Sequence, residues 1–194
     1  MEFIYEEDNH VPKEICDELI KQFENNKDRQ IQGGTVTGVN KNVKDSRDLP
    51  LHKIDDHEYL ANKLNEYIRL AIDKYTEYIY ENDIDMKRGL VKKKLGNVFI
   101  GPPQIQKTTP NGFYRWHHDG CGTRILTYII YLNDVEEGCG GTTDFTCGKS
   151  VQPKAGKIVI FPAIWTYYHR GKKLENGVKY IATSFVWPSG PPYE

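Results

Sequence analysis

The strongest constraint on this chain is a series of short apolar runs after about Lys93: VFIG, PQIQ, RILTYIIYL, SVQP, KIVIFP and YIATSFVW. Gly, Pro and Asn separate them, and no helical period lies between one run and the next. Parallel strands need long crossovers, usually helices, to bring the chain back to the same end of a sheet. Strands without such crossovers fold back antiparallel, as a β-sandwich or barrel.

The front half has a different texture. From Pro12, which suits a first helical turn, Ile15, Leu19, Ile20 and Phe23 recur at helical spacing. A second helix is expected from about Asp56 to Tyr80. Leu60, Leu64, Ile68, Ala71, Ile72 and Tyr75 fall on one face of it, with Lys, Glu and Arg on the other. Between the two, GGTVTGVNKNVKDSRD is polar and rich in Gly and Asn, which predicts a loop or short edge strands. Whether the stretch 32–50 covers a site is not legible. The expected class is α+β with a mainly β core: helical support and loop over 1–92, then a β core over 93–194. With no Pro-rich or Ser/Gly-rich linker in its 194 residues, the chain reads as one domain.

Charge narrows the partners. The 26 Lys and Arg against 27 Asp and Glu give no field that would favour nucleic acid or an anionic membrane surface. MEFIYEEDNH carries acidic residues where an export signal would be basic and then apolar, and no segment has the length of a membrane span. A soluble, cytoplasmic protein is expected. Cys16, Cys121, Cys139 and Cys147 form no CxxC pair, so reduced thiols are expected rather than disulfides or a zinc site.

The chemistry concentrates in Tyr114-Arg115-Trp116-His117-His118-Asp119. Strand side chains alternate between faces, so His117 and Asp119 share a face and His118 opposes them. Two such ligands and a third His make a 2-His-1-carboxylate facial triad, which leaves positions open on Fe(II). By itself an H-x-D is more often surface polarity or a local hydrogen-bonded turn. His10, His52 and His57 lie in the helical half, whereas His169 follows the strand KIVIFP and an aromatic run. Elimination therefore makes His169 the third ligand.

From Gln104 to Trp187 the motifs accumulate in order: Tyr114-x-x-His117-x-Asp119, Arg124-x-x-Thr127-x-x-x-Tyr131-Leu132-Asn133, and Gly140-Gly141-x-Thr143-x-Phe145. Pro153-x-x-Gly156, His169-x-Gly171 and Gly177-x-Lys179 follow. This order resembles the catalytic core of the prolyl 4-hydroxylase group of 2-oxoglutarate oxygenases. The resemblance implies a double-stranded β-helix of the jelly-roll or cupin kind. It also implies Fe(II) at His117, Asp119 and His169, 2-oxoglutarate chelating the iron, O2 as oxidant and ascorbate as a candidate reductant.

The far carboxylate of 2-oxoglutarate needs a buried cation, because an unpaired charge inside a barrel is costly. Lys179 supplies it: with Ile181, Thr183, Phe185 and Trp187 it shares a face that is largely apolar. By resemblance Tyr131 adds a hydroxyl to the same carboxylate, the alternative being an ordinary core tyrosine. Thr143 and Thr183 are further candidates for the co-substrate pocket, or plain strand threonines. Arg124 matches an arginine that touches peptide substrate in some members, or pairs with a surface carboxylate. Tyr114, Trp116 and Trp187 offer apolar surfaces suited to a proline ring, and equally to packing. Gly140 and Gly141 serve backbone geometry.

The pattern departs at Thr108, where many members have a tyrosine, at Thr142 in place of a glutamate, and at Phe185 in place of a tryptophan. None of these is a metal ligand. The expectation is therefore a hydroxylase that converts 2-oxoglutarate to succinate and CO2, with a proline-containing peptide or protein as partner. An oxygenase of another residue, a nucleobase or a small metabolite, and a silent β-helix binding module, are the competing readings.

Overall fold

Pro12 precedes helix α1, Lys13–Asn25, and its carbonyl accepts from the amides of Ile15 and Cys16. The computed structural model describes residues 3–55, 57–82, 95 and 98–189. Ahead of α1 lies β1, Tyr5–Glu7; after it come β2, Ile31–Gln32, β3, Arg47–Pro50, and the long helix α2, Glu58–Asn82. The second half contributes β4, Val98–Ile100, β5, Gln104–Thr108, β6, Tyr114–His117, and β7, Leu126–Tyr131. It continues with β8, Thr143–Phe145, β9, Ser150–Val151, β10, Ile158–Pro162, β11, His169–Gly171, and β12, Lys179–Pro188.

Among the described residues the strands form two antiparallel sheets. The larger runs β1-β10-β7-β12-β5-β3-β2, with β4 added to β12 beyond the end of β5, and the smaller runs β6-β11-β8-β9. From β5 onward the chain alternates between them: β5, β7, β10 and β12 in one, β6, β8, β9 and β11 in the other. That alternation makes a double-stranded β-helix.

Strand alternation then divides the core. Tyr128 and Ile130 of β7, Ile158 and Ile160 of β10, and Ala182 and Val186 of β12 face the helices, where they meet Leu19, Phe23, Leu64 and Ile68. Each Ile, Leu, Val or Phe side chain so removed from water contributes ~1.5–3 kcal/mol. The intervening residues Ile129, Tyr131, Val159 and Phe161 face the space between the sheets, with Phe145. Strand β7 is buried at all six positions because both its faces are covered. The expected apolar face of α2 is the buried one, Leu60 through Tyr75. In α1 the stripe centres on Cys16, Leu19 and Phe23, with Ile15 and Ile20 half-buried at its edges.

One expectation needs correction. The front half is more than support, since β1 pairs with β10 and β3 pairs with β5 in the large sheet. β1 reads Tyr-Glu-Glu, so it carries no apolar alternation; Ile4, just before it, is the buried residue. The expected boundary at 92/93 lies outside the described residues. No described helix is long and apolar enough to cross a membrane.

Candidate active site

Strands β6 and β11 are neighbours, and their register sets His117 opposite His169. The two rings lie 4.2 Å apart between centroids. Asp119 sits two residues beyond the end of β6, in the irregular segment that follows, so strand pairing does not hold it. Its carboxylate still reaches the pair: Oδ1 is 3.6 Å from His117 Nε2 and Oδ2 is 3.5 Å from His169 Nε2. One ligand atom from each of the three residues falls within 4.8 Å of the others.

The tautomers follow from the backbone. His117 Nδ1 donates to the Arg115 carbonyl at 2.7 Å and His169 Nδ1 donates to the Tyr167 carbonyl at 3.0 Å. A carbonyl only accepts, so each Nδ1 carries the proton and each Nε2 presents its lone pair to the shared space. Burial, and then the neighbouring His169, hold His117 below the usual histidine range, in the neutral form that binds metal. Thr127 Oγ1 donates to Asp119 Oδ2 at 2.7 Å, which orients the carboxylate. Thr127→Val should lower metal affinity by roughly 10-fold, the lower end of what outer partners of metal ligands contribute, and Thr127→Ser should restore it. Titration with Fe(II) under anaerobic conditions, or with Mn(II), measures this.

These residues open onto a cavity of about 800 Å3. On its wall Lys179, 6 % exposed, donates to the Gly141 carbonyl at 2.8 Å. Gly140 and Gly141 have φ of +75° and +72°, which lets that carbonyl turn toward the amine. A Cβ on Gly140 would collide with the Lys173 carbonyl. Among the described residues no carboxylate lies within ion-pair distance of Lys179, and burial brings its pKa down from 10.5 to about 8. Its register neighbour on β5 is Thr108, which also lines the cavity, with no phenol at that position. Tyr131 is fully buried and its hydroxyl donates to Thr143 Oγ1 at 2.6 Å. Thr143, rather than Tyr131, is on the cavity wall. Thr183 lines the cavity but donates its hydroxyl proton to the Tyr128 carbonyl at 2.7 Å.

Toward the mouth, Tyr114 stacks on His117 with centroids 3.6 Å apart. The Arg124 guanidinium lies 3.6 Å over the Phe185 ring, and both residues line the cavity. Trp187 is set behind them, against Phe185 and Phe99. Trp116 stands at the rim, 42 % exposed, beneath Arg170. The polar stretch before β3 borders the site: Thr35, Val36, Lys44 and Ser46 line the cavity. Lys44 and Asp48 form an ion pair of 2.6 Å at 3 % and 2 % side-chain exposure, and Ser46 donates to the same carboxylate.

Residues 103–187 match the family model of the 2OG-Fe(II) oxygenase superfamily. The chain carries a 2OG-Fe(II) oxygenase domain. Human procollagen-lysine,2-oxoglutarate 5-dioxygenase 1 is 30 % identical over 186 residues, covering 89 % of this chain and 22 % of that protein. The chain thus spans about a fifth of the length of the curated relatives it matches. Among solved structures, viral collagen prolyl hydroxylase from Paramecium bursaria Chlorella virus-1 in its 2OG complex superposes with a TM-score of 0.70 at 19 % identity, covering 95 % of this chain and 96 % of the other. The prolyl hydroxylase of Trichoplax adhaerens, in complex with a hypoxia inducible factor peptide, gives 0.73 at 14 % identity, covering 97 % and 84 %.

The oxygenase family implies Fe(II), 2-oxoglutarate and O2. The donor set fits the metal: two imidazole lone pairs and a carboxylate on one side of the shared space, with the cavity on the other. Sequence reasoning missed the Lys44–Asp48 pair and the bond from Thr127 to Asp119. Lys and Asp four residues apart in a polar stretch look like a solvated pair, and a strand threonine carries no mark of its partner.

Proposed function

We propose that this oxygenase hydroxylates a side chain of a peptide or protein, and that the residue is a proline. The observation that carries the reading is Lys179, a buried ammonium that donates to a carbonyl and, among the described residues, forms no ion pair, in the cavity that His117, Asp119 and His169 also line. A dicarboxylic acid long enough to reach from a metal to that ammonium satisfies both ends.

Iron held by the three side chains would let O2 and 2-oxoglutarate become succinate and CO2, with one oxygen atom inserted into a substrate C–H bond. The chain's own groups do the rest. His117 and His169 stay neutral and fixed by their Nδ1 bonds, and Thr127 aims Asp119. Lys179 fixes the far end of the co-substrate, and Ile129 and Ile181 keep the wall between apolar. Among the described residues Asp119 is the one carboxylate that lines the cavity, whereas Arg124 and Lys179 add positive charge and Lys44 is neutralised by Asp48. A lysyl ammonium would find no free carboxylate there, so a neutral proline ring suits the wall better than the lysine of the curated relatives.

The test is incubation of proline peptides, proline-to-alanine controls and lysine peptides with Fe(II), 2-oxoglutarate and O2. Succinate release and a gain of one oxygen in the proline peptides alone are expected; oxygen gain in the lysine peptides would overturn the choice of residue. Arg124, held flat on Phe185 at the mouth, can donate to a peptide carbonyl. Arg124→Ala should therefore depress peptide hydroxylation at least 10-fold more than uncoupled 2-oxoglutarate decarboxylation, read as the ratio of hydroxylated peptide to succinate.

A further inference from the structure

Strand β6, which carries Tyr114 and His117, is an edge of the smaller sheet, with β11 on one side only. The other side is covered by residues 43–45: Lys44 bridges Tyr114, the Arg115 amide donates to the Val43 carbonyl and the Asp45 amide to the Phe113 carbonyl, both at 2.9 Å. Three residues after Lys44 the chain is already in β3, where Arg47 and Asp48 face Lys107 and Gln106 of β5. Residues 43–48 thus make a corner between the sheet of His117 and the sheet of Lys179. The buried Lys44–Asp48 ion pair spans that corner. Ser46 Oγ donates to Asp48 Oδ1 at 2.8 Å, and Gly33 packs so closely on that hydroxyl that a Cβ there would collide with it. The Lys44 ammonium also lies 5.4 Å from the centre of the Tyr114 ring, the ring that stacks on His117 with 18° between planes.

The two histidines are supported differently. The His169 side chain is 5 % exposed and has Phe145 and Phe161 packed on its ring. The His117 side chain, 16 % exposed, has Tyr114 in their place, besides His169 itself. Its hydrogen bond to the Arg115 carbonyl sets where Nδ1 points and leaves the tilt of the ring about that bond free. We infer that Lys44 is a positioning residue for His117, acting through Tyr114: the pair with Asp48 seats Lys44 against the edge of β6 and its ammonium against the phenol ring, and that ring sets the plane of the imidazole. The inference rests on the reading of His117, Asp119 and His169 as the iron ligands, and holds whichever residue is hydroxylated. Taking two charges out of water offsets most of what their attraction returns, so a buried pair is a weak source of stability. Its rigidity is what reaches the metal site, since the groups that orient metal ligands change affinity about 10- to 100-fold.

Lys44→Met together with Asp48→Asn removes both charges at once, so that neither is left buried alone, and the Asn carbonyl still accepts from Ser46. The dissociation constant for Mn(II) should rise about 10-fold, the lower end of that range. Tyr114→Leu should weaken Mn(II) by about as much, whereas Tyr114→Phe, which keeps the ring, should bind as the wild type does. Added to Tyr114→Leu, the two charge substitutions should do no further harm, because the ring they act through is gone. Equal losses in the wild-type and Tyr114→Leu backgrounds would mean that the pair supports the fold without acting through the ring and would overturn the inference, as would no loss in either. NMR of the metal-free protein reads the stack directly, since an aromatic ring 3.6 Å away shifts the His117 imidazole protons upfield. That shift should vanish in Tyr114→Leu and shrink on loss of the two charges; a shift that the charge substitutions leave unchanged overturns the inference. Wild-type protein that binds no Mn(II) would overturn the reading of the ligands and the inference with it, whereas Mn(II) binding that the charge substitutions leave intact overturns the inference alone.

Discussion

Lys179→Ala should raise the 2-oxoglutarate concentration needed for half-maximal turnover roughly a hundred- to several-thousand-fold, because a buried charge left without its partner costs about 3–5 kcal/mol. Among the described residues the amine has one hydrogen-bond partner, the Gly141 carbonyl, and that carbonyl cannot neutralise it. Lys179→Arg should recover part of the loss. Its wider fork has to fit between Gly141 and Gly171, whose Cβ position lies 3.8 Å from Nζ. The same residue sets a pH dependence. Its pKa is about 8 in the folded chain, against an ordinary 10.5. Below about 8 the ammonium is charged and ready for a carboxylate, so affinity for 2-oxoglutarate should fall as pH rises beyond that value. Stability without co-substrate runs the other way. Between about 8 and 10.5 the unfolded chain holds a proton that the folded chain has released, so folding strengthens as pH rises through that window. The buried charge therefore costs on the order of 3 kcal/mol at neutral pH. Lys179→Met should raise the Tm at pH 7 while losing co-substrate binding, and a thermal scan with and without 2-oxoglutarate reads both. A Lys179→Met protein that binds 2-oxoglutarate as the wild type does would move the anchor elsewhere.

The β architecture was legible because its signal is local. Runs such as KIVIFP and YIATSFVW are strands whatever their neighbours, and the absence of helices between them leaves antiparallel pairing as the solution. Even the division of each strand into a helix-facing and a cavity-facing half can be read once the period of two is taken seriously. Lys179, Ile181, Thr183 and Phe185 line one side, and Ala182 and Val186 the other. The short strands were harder. β8 and β11 have three residues each, and β1 has a sequence no alternation test would select. They exist because a longer neighbour offers a ladder, which is a property of the partner.

The site divides along the same line. The grouping of His117, Asp119 and His169, and the inward face of Lys179, were legible as residue types that few other roles explain at that spacing. Their supports were not, because a support is defined by distance in space. The hydroxyl of Tyr131 is an example: the strand pattern places it inward, but only the fold shows that Thr143 stands between it and the cavity. Asp119 is another. It was assigned to His117's face by strand alternation, yet it lies past the strand end and reaches that face through an irregular segment and Thr127. The three side chains do come together, although the assumed backbone is not that of the molecule.

That distinction sharpens the last expectation, which concerns the metal. His117→Ala, Asp119→Ala and His169→Ala should each reduce succinate formation to background, since a three-ligand site that keeps positions open for co-substrate has none to spare. The fold should survive each change. The two imidazoles make one backbone hydrogen bond apiece; His169→Ala also removes a ring packed edge-on against Phe161 at 4.7 Å, so it should cost the most stability of the three. His118→Ala should be mild, because the His118 ring packs against Tyr168 on the cavity wall and its nitrogens are not among the ligand atoms that His117, Asp119 and His169 bring together. A readout independent of activity is the rise in Tm on adding Fe(II) anaerobically, or Mn(II). A ligand that binds only the folded chain stabilises it by mass action, by about 2.7 kcal/mol at a hundred times its dissociation constant. Wild type and His118→Ala should show that rise, and the three triad variants should not. A metal-dependent rise in His117→Ala, or its loss in His118→Ala, would exchange the roles of the two neighbouring histidines.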